Sequence, residues 1–179
     1  MKNKRNWNRK AAILAAAVLT STCFFAGNYN TSYAADGKVI GGPSNGTDAN
    51  MATQWDSTVS GGMSNTASGT GSSVSGGKYN TASEITSSVS GGAHNTASGL
   101  DSSVSGGRSN TASGSDSSVS GGLFNTASGS DSSVSGGHRN VAFGSSSSVI
   151  GGSLNTAYGA NSLSLGELVL LYRGIWMLA

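Results

Sequence analysis

Cysteine and proline are nearly absent from this chain. Cys23 and Pro43 are the only examples among 179 residues, and Cys23 lies close to the N-terminus. With a single cysteine, the chain has no internal disulfide to stabilise a fold. Charged residues make up 10% of the sequence and aromatic residues 7%, against 28 glycines. This is the composition of a disordered Gly/Ser linker, but the glycines and serines recur in strict register, which excludes such a linker.

A 15-residue repeat organises most of the chain. Its marker is a valine that is followed, after one residue, by Gly-Gly. The repeated valines are Val59, Val74, Val89, Val104, Val119, Val134 and Val149. A short fixed period is typical of a solenoid, in which each coil buries its apolar side chains only by stacking on the next coil. Within a coil, alternation in Ser103-Val104-Ser105 and in Thr111-Ala112-Ser113 predicts two short strands with Val and Ala inward.

The sequence therefore predicts an all-β fold of parallel strands with a thin core of one Val and one Ala per coil. So thin a core favours oligomerisation. At the N-terminal end, Val39-Ile40-Gly41-Gly42 followed by Asn45 indicates a first coil, and an insertion of five residues is placed around residues 48–55. At the C-terminal end, a shorter step of 14 residues reaches Leu163, and both Leu163 and Leu165 are assigned to the core.

Residues 1–34 have the features of a signal peptide. Lys2, Lys4, Arg5, Arg9 and Lys10 form a positive segment, residues 11–19 are apolar, and Ser32-Tyr33-Ala34 is a small-x-small cleavage site. We expect export with Ala35 as the new N-terminus; the apolar run is too short to favour a membrane span. After Ala34 there are five basic and eight acidic residues, so the charge gives no reason to expect a nucleic-acid partner.

Two positions per coil vary freely, namely the pair between Gly-Gly and the next Asn. One such pair recurs at the same corner of every coil, so its members are expected to stack into a column of basic, aromatic and apolar side chains. Three interpretations stay open: a strip that contacts a partner, packing between identical chains, or no role. The candidate partner-contact residues are Lys78, Tyr79, His94, Arg108, Leu123, Phe124, His138 and Arg139.

Other columns are interpreted as structural. The asparagines are expected to form an amide ladder along the stack; they are Asn65, Asn80, Asn95, Asn110, Asn125, Asn140 and Asn155. Thr66, Thr81, Thr96, Thr111 and Thr126 form a hydroxyl ladder, explained by β-propensity and cross-strand hydrogen bonds. Asp101, Asp116 and Asp131 recur once per coil, but the calcium-binding Gly-Gly-x-Gly-x-Asp repeat is absent, so they are taken as solvated turn acids.

Catalytic and metal-binding patterns are weak. The segment Gly-Pro-Ser-Asn-Gly at 42–46 matches a serine nucleophile pattern but lies in a repeated turn, not between a strand and a helix. His94 and His138 lie on turns nearly three coils apart. No His, Cys or carboxylate cluster has the spacing of metal ligands. We therefore expect no enzyme activity, no metal and no cofactor.

The repeat Val-x-x-Gly-x-x-Asn-x-Ala-x-Gly-x-x-Ser, seen at Val104, Gly107, Asn110, Ala112 and Gly114, resembles the head repeat of trimeric autotransporter adhesins, the YadA-like head. The resemblance covers residues 39–166. It implies a left-handed parallel β-roll of 14- to 15-residue coils, a homotrimer, and adhesion to extracellular matrix or to cells at the bacterial surface. Two departures are the extra residue in most coils and a glycine in place of the family's isoleucine, which suggests a thinner core.

Residues 167–179 form an atypical apolar tail, so that the domain plan is a signal peptide at 1–34, a head-repeat domain at 35–166, and this tail. The tail contains no heptads or barrel strands, and it is too short to span a bilayer as a helix. It is interpreted as a truncated or frameshifted end, or as an apolar cap on the last coil. The alternatives to an adhesin head are a secreted ice- or surface-binding solenoid that uses the hydroxyl ladder, and a non-functional fragment.

Overall fold

A computed structural model describes residues 31–32, 37–42 and 49–166 of the chain. These residues form 18 strands of two residues each and no helix. The strands belong to two nine-stranded sheets, and every pairing within them is parallel. The chain alternates between the sheets, so each coil adds one strand to both. The predicted all-β solenoid of parallel strands is therefore confirmed.

The first sheet, here called the Ala sheet, contains the odd-numbered strands. They are β1 (Thr31–Ser32), β3 (Met51–Ala52), β5 (Thr66–Ala67), β7 (Thr81–Ala82), β9 (Thr96–Ala97), β11 (Thr111–Ala112), β13 (Thr126–Ala127), β15 (Val141–Ala142) and β17 (Thr156–Ala157). The second, the Val sheet, contains the even-numbered strands. They are β2 (Lys38–Val39), β4 (Thr58–Val59), β6 (Ser73–Val74), β8 (Ser88–Val89), β10 (Ser103–Val104), β12 (Ser118–Val119), β14 (Ser133–Val134), β16 (Ser148–Val149) and β18 (Leu163–Ser164).

Pairing keeps each residue opposite its equivalent in the next coil. Ser103 pairs with Ser118 and Val104 with Val119, and the backbone N–H of Ser103 donates to the carbonyl of Ser117 across 2.9 Å. A slip of one residue would turn every inward side chain outward, so the alternation of polar and apolar residues stabilises this register. The 15-residue period of the sequence is thus the structural period of the stack.

The core consists of one alanine column and one valine column. Their members are at most 3% exposed: Ala52, Val59, Ala67, Val74, Ala82, Val89, Ala97, Val104, Ala112, Val119, Ala127, Val134, Ala142, Val149 and Ala157. Val39 packs against this cluster and is partly buried. The seven valines assigned to the core from the sequence are all buried.

The assignment of Leu163 and Leu165 to the core is wrong. Leu163 is 58% exposed and Leu165 is 55% exposed. The stack keeps its 15-residue step to the end, since Val149 pairs with Ser164 and Ser148 with Leu163. The register set by backbone hydrogen bonds therefore places Ser164 in the valine column and turns its two apolar neighbours outward.

The five-residue insertion lies earlier than predicted. Met51 already pairs in register with Thr66, and Asn50 occupies the asparagine column because the backbone N–H of Asn65 donates to its side-chain oxygen. Residues 51–59 therefore belong to a regular coil. The extra residues fall between Gly42 and Asn50.

The two adjacent glycines of each coil have different surroundings. Gly107 has a φ of +82°, and a Cβ placed there would lie 2.3 Å from the carbonyl oxygen of Gly122 in the next coil. A Cβ at Gly106 would meet nothing within 4 Å. The first glycine, which replaces the isoleucine of the resembled family, therefore faces open space, and its small size does not thin the core of this chain.

Several predictions concern residues at the two ends. Most of the predicted signal peptide, and all of the tail at 167–179, lie outside the described residues. Strand β1 falls inside the predicted signal peptide and pairs with β3, so cleavage after Ala34 would leave β3 as the edge of the Ala sheet. Within the described ranges, no helix has the length and apolar character needed to cross a membrane.

Candidate partner-binding edge

Two turns in each coil connect the two sheets. The first runs through Gly-Gly, the freely varying pair and Asn, as in residues 106–110; the second runs from the alanine strand to the next valine strand, as in residues 113–117. We call the column of varying pairs the variable edge. It consists of residues 63–64, 78–79, 93–94, 108–109, 123–124, 138–139 and 153–154.

Backbone hydrogen bonds run in both directions along the variable edge. The first residue of each pair forms a parallel bridge with its equivalent in the next coil, as Lys78 does with Ala93. Its N–H donates forward, as from Lys78 to the carbonyl of Gly92 at 2.9 Å. The second residue donates backward, as from His94 to the carbonyl of Lys78 at 2.9 Å. The edge is therefore a third hydrogen-bonded ladder, which fixes the spacing of its side chains.

The second residue of every pair is in the left-handed region. These residues are Ser64, Tyr79, His94, Ser109, Phe124, Arg139 and Leu154, with φ between 53° and 60°. This conformation costs about 1–2 kcal/mol for an L-residue other than glycine, and asparagine and aspartate tolerate it best. Aromatic and branched side chains are poor choices for such a backbone.

The second turn has a left-handed residue as well, but its sequence fits. This column reads Asp56, Gly71, Thr86, Asp101, Asp116, Asp131, Ser146 and Asn161. Six of these eight residues are Asp, Asn or Gly, the types that adopt a positive φ most readily. The acids interpreted from the sequence as solvated turn residues thus have a backbone reason for their position, whereas Tyr79 and Phe124 on the variable edge have none.

The asparagine column lies directly beside the variable edge and holds its backbone. Asn110 donates from its side-chain nitrogen to the carbonyls of Gly106 at 2.9 Å and Gly122 at 3.0 Å, and its side-chain oxygen accepts from the N–H of Asn125 at 2.9 Å. These asparagines are fully buried up to Asn140. The ladder therefore joins side chain to backbone and ties each Gly-Gly turn to the next coil; an amide-to-amide bond occurs between Asn155 and Asn140, at 3.3 Å.

Side chains near the N-terminal end of the variable edge form one cluster. The rings of Tyr79 and His94 stack with their centroids 4.9 Å apart, and the Lys78 Nζ lies 4.9 Å from the Tyr79 centroid. An ammonium group at this distance from a ring is attracted by the ring's electrons. The cluster therefore holds an exposed cation against an aromatic support.

A second cluster lies further along the same edge. The Arg139 guanidinium carbon is 5.8 Å from the Phe124 centroid, and the rings of Phe124 and His138 are 6.3 Å apart in an edge-on arrangement. His138 Nδ1 lies 3.3 Å from the Ser153 hydroxyl. Arg108 is exposed and lies between the two clusters, and Leu123 is half-buried. The structure thus brings all eight candidate contact residues onto one edge, in two cation–aromatic groups separated by an arginine.

Charge is segregated between the two turns. Lys78, Arg108 and Arg139 lie on the variable edge, and none of its fourteen positions carries a carboxylate. The carboxylates in the described ranges all lie on the other turn: Asp56, Glu84, Asp101, Asp116 and Asp131. The rod therefore has one basic, aromatic edge and one acidic edge. Over those ranges, no group of three or more His, Cys, Asp or Glu side chains is arranged to hold a metal ion.

Two further features had no clear sequence signal. A column of buried serines lies inside the second turn: Ser57, Ser72, Ser87, Ser102, Ser117, Ser132 and Ser147. Where these hydroxyls bond, they bond to their own turn, as Ser87 Oγ does to the Glu84 carbonyl at 2.7 Å. Their inward position follows from the chain path through the turn, which residue types alone do not specify.

The other feature is an apolar collar on the last coils. Its members are 54–74% exposed: Phe143, Ile150, Leu154, Tyr158, Leu163 and Leu165. The rings of Phe143 and Tyr158 lie 5.8 Å apart. Earlier coils carry serine at most of these outward positions, so the surface changes from hydroxylic to apolar towards the C-terminal end of the described stack.

Comparisons with known proteins give no assignment. No protein-family model matches the chain, and no curated protein sequence matches it either.

Proposed function

We propose that this chain is the exported head region of a bacterial surface adhesin. In this proposal three copies form a rod of left-handed β-roll coils that attaches to extracellular matrix or to other cells, without catalysis. The family resemblance of the repeat supports the trimer and the location at the cell surface. The variable edge supplies the contact surface.

The observation that carries the proposal is the choice of residues at left-handed positions. Tyr79, His94, Phe124 and Arg139 occupy a backbone conformation that favours glycine or asparagine. The second turn, with the same backbone requirement, mostly uses residues that suit it. The variable edge keeps residues that strain a left-handed backbone, whereas the second turn mostly avoids them. This difference indicates that the side chains of the variable edge are retained for a contact. Tyrosine, phenylalanine and arginine are residues that frequently anchor protein interfaces.

Two properties of the rod support assembly. The core consists of one alanine and one valine per coil, which is little apolar burial for the number of residues ordered. The column of first glycines, exemplified by Gly76 and Gly106, has open space where side chains would project. A neighbouring chain can approach a glycine column closely. The exposed collar adds apolar area that association would bury.

The test has two readouts on the exported chain. Light scattering should give three times the mass of this single chain, which mass spectrometry measures and which lies below the 17.7 kDa of the full sequence because residues 1–34 are removed. Beads coated with the protein should adhere to extracellular-matrix preparations, and a variant with Tyr79→Ser, Phe124→Ser and Arg139→Ser should adhere less while keeping its far-UV circular dichroism. A stable folded monomer contradicts the trimer, and adhesion that the variant retains in full contradicts the role of the variable edge.

A second candidate function is binding of ice or another ordered surface. In-register pairing aligns the hydroxyl residues of successive strands, as Thr96 opposite Thr111 and Thr111 opposite Thr126. The array is interrupted at Val141 and Phe143, which disrupts a continuous hydroxyl face. Thermal hysteresis in a solution of the protein would support this candidate, and its absence would remove it.

A further inference from the structure

We propose that the variable edge binds a linear sulfated polysaccharide of the glycosaminoglycan class, which lies along the axis of the rod. This inference rests on the proposed adhesive function and names its ligand. It follows from three observations on the edge: the spacing of its cations, the absence of carboxylates from it, and the way its cations are supported.

The cations recur every second coil. Lys78, Arg108 and His138 occupy equivalent positions two coils apart, and the permanent charge of the last of these coils belongs to Arg139, the second residue of its pair. Because paired strands lie 4.7–4.9 Å apart, this spacing is about 9.6 Å. It is close to the length of one disaccharide in an extended polysaccharide chain. A polymer with at least one sulfate per disaccharide can therefore present an anion to each cation in turn.

The cations are also available to an external anion. The edge contains no carboxylate to neutralise Lys78, Arg108 or Arg139, and the acidic residues in the described ranges lie on the other turn of each coil. Lys78 lies over the ring of Tyr79 and Arg139 over the ring of Phe124. Each ring attracts the cation but accepts no conventional hydrogen bond, so the N–H donors of Lys78 and Arg139 stay available to a ligand. Arginine is weakly hydrated and donates several hydrogen bonds in a plane, which suits pairing with a sulfate group.

The same geometry disfavours nucleic acid. A DNA duplex carries one negative charge per about 1.7 Å of its axis, which is several charges for each coil of the rod. The variable edge offers one permanent cation per two coils in a column only one pair of residues wide. This density of positive charge matches a polysaccharide with one sulfate per disaccharide much better than it matches the phosphates of a nucleic acid.

The test measures binding of the full chain to immobilised heparan sulfate at several NaCl concentrations. The variant with Lys78→Gln, Arg108→Gln and Arg139→Gln should lose at least about ten-fold in affinity, with a shallower salt dependence. The matched control carries Thr70→Asp, Ser130→Asp and Ser145→Asp, which changes the net charge by the same amount at exposed positions of the second turn, on the other edge of the rod. Because distant charges are screened over about 8 Å at physiological salt, the control should lose less than about three-fold.

A second variant tests the spacing at constant charge. The double substitution Ala93→Arg and Arg108→Ala moves one cation by a single coil along the same column. It should weaken binding several-fold if the anions are matched to a two-coil repeat. Unchanged affinity would overturn the match to the disaccharide repeat.

The outcomes separate this inference from the function on which it rests. Loss of affinity in the charge variant alone supports the inference. Equal losses in that variant and its matched control, or binding to hyaluronan or single-stranded DNA as tight as to heparan sulfate, would overturn the assignment of a sulfated ligand. If beads coated with the protein adhere to matrix after enzymatic removal of sulfated chains, the adhesin proposal stands and the ligand is wrong. If they adhere to no matrix, both fail.

Discussion

The backbone N–H of Asn110 donates to the side-chain oxygen of Asn95 across 3.0 Å, and the same bond links successive asparagines from Asn50 to Asn155. From Asn50 to Asn140 the side chain also donates to two glycine carbonyls, so each of these residues satisfies three backbone groups at once. Burial without such partners would cost free energy. The asparagine column is thus what secures the Gly-Gly turns that carry the variable edge.

Replacement of one of these amides by a carboxylate should be costly. Asn110→Asp keeps an acceptor for Asn125 but loses both donors, and it places a charge against the carbonyls of Gly106 and Gly122. We expect the free energy of unfolding to fall by about 3 kcal/mol or more, measured by denaturant titration. The matched control is Asn161→Asp, an exposed left-handed position that is aspartate in four other coils. Similar losses in both variants would contradict the role given to the buried column.

The sequence predicted the coil and its register because residues 15 apart in the repeat are the residues that pair in the sheets. The sequence placed the interruption of the repeat too late along the chain, around residues 48–55. Asn45 follows Gly-Gly at the usual distance, whereas Asn50 makes the ladder bonds, and only the pairing of Met51 with Thr66 locates the insertion. The same ambiguity produced the error at Leu163, since alternation fits a step of 14 residues as well as one of 15.

The position of the variable edge was predictable, but its backbone was not. Varying pairs at a fixed place in the repeat must stack on one corner, whatever their identity. A left-handed conformation is usually signalled by glycine, asparagine or aspartate, and residues such as Tyr79 and Phe124 give no such signal. The second turn does contain aspartates at its left-handed positions, such as Asp101 and Asp116. From the sequence these residues were interpreted only as solvated turn acids.

The two glycines of one coil should respond differently to the same substitution. Gly107→Ala places a Cβ 2.3 Å from a carbonyl of the next coil at a φ of +82°, and should lower the free energy of unfolding by at least about 2 kcal/mol. Gly106→Ala projects into open space and should change it by less than about 0.5 kcal/mol in a monomeric chain. A large effect of Gly106→Ala that varies with protein concentration would instead locate the contact between chains at this column.

Val104 in strand β10 and Ser105, which follows it directly, allow a test of the core. Val104 is 1% exposed and Ser105 is exposed, so a carboxylate at the two positions meets opposite environments. Val104→Asp buries a charge without a partner and should cost several kcal/mol, with loss of the native far-UV spectrum in the affected coils. Ser105→Asp should leave both stability and solution mass unchanged within error. If Val104→Asp retains the stability and mass of the parent chain, the valine column is not the core.

Ser109 offers the cleanest measure of strain on the variable edge, because it has a φ of 56° and carries no aromatic or charged side chain. Ser109→Gly removes the left-handed penalty and should raise the free energy of unfolding by about 1 kcal/mol, after the entropic cost of glycine is included. Ser105→Gly, in an extended segment, should lower it by about 0.5–1 kcal/mol. If Ser109→Gly yields no gain, the backbone at this column is not strained. The retention of Tyr79 and Phe124 there would then need no binding partner to explain it.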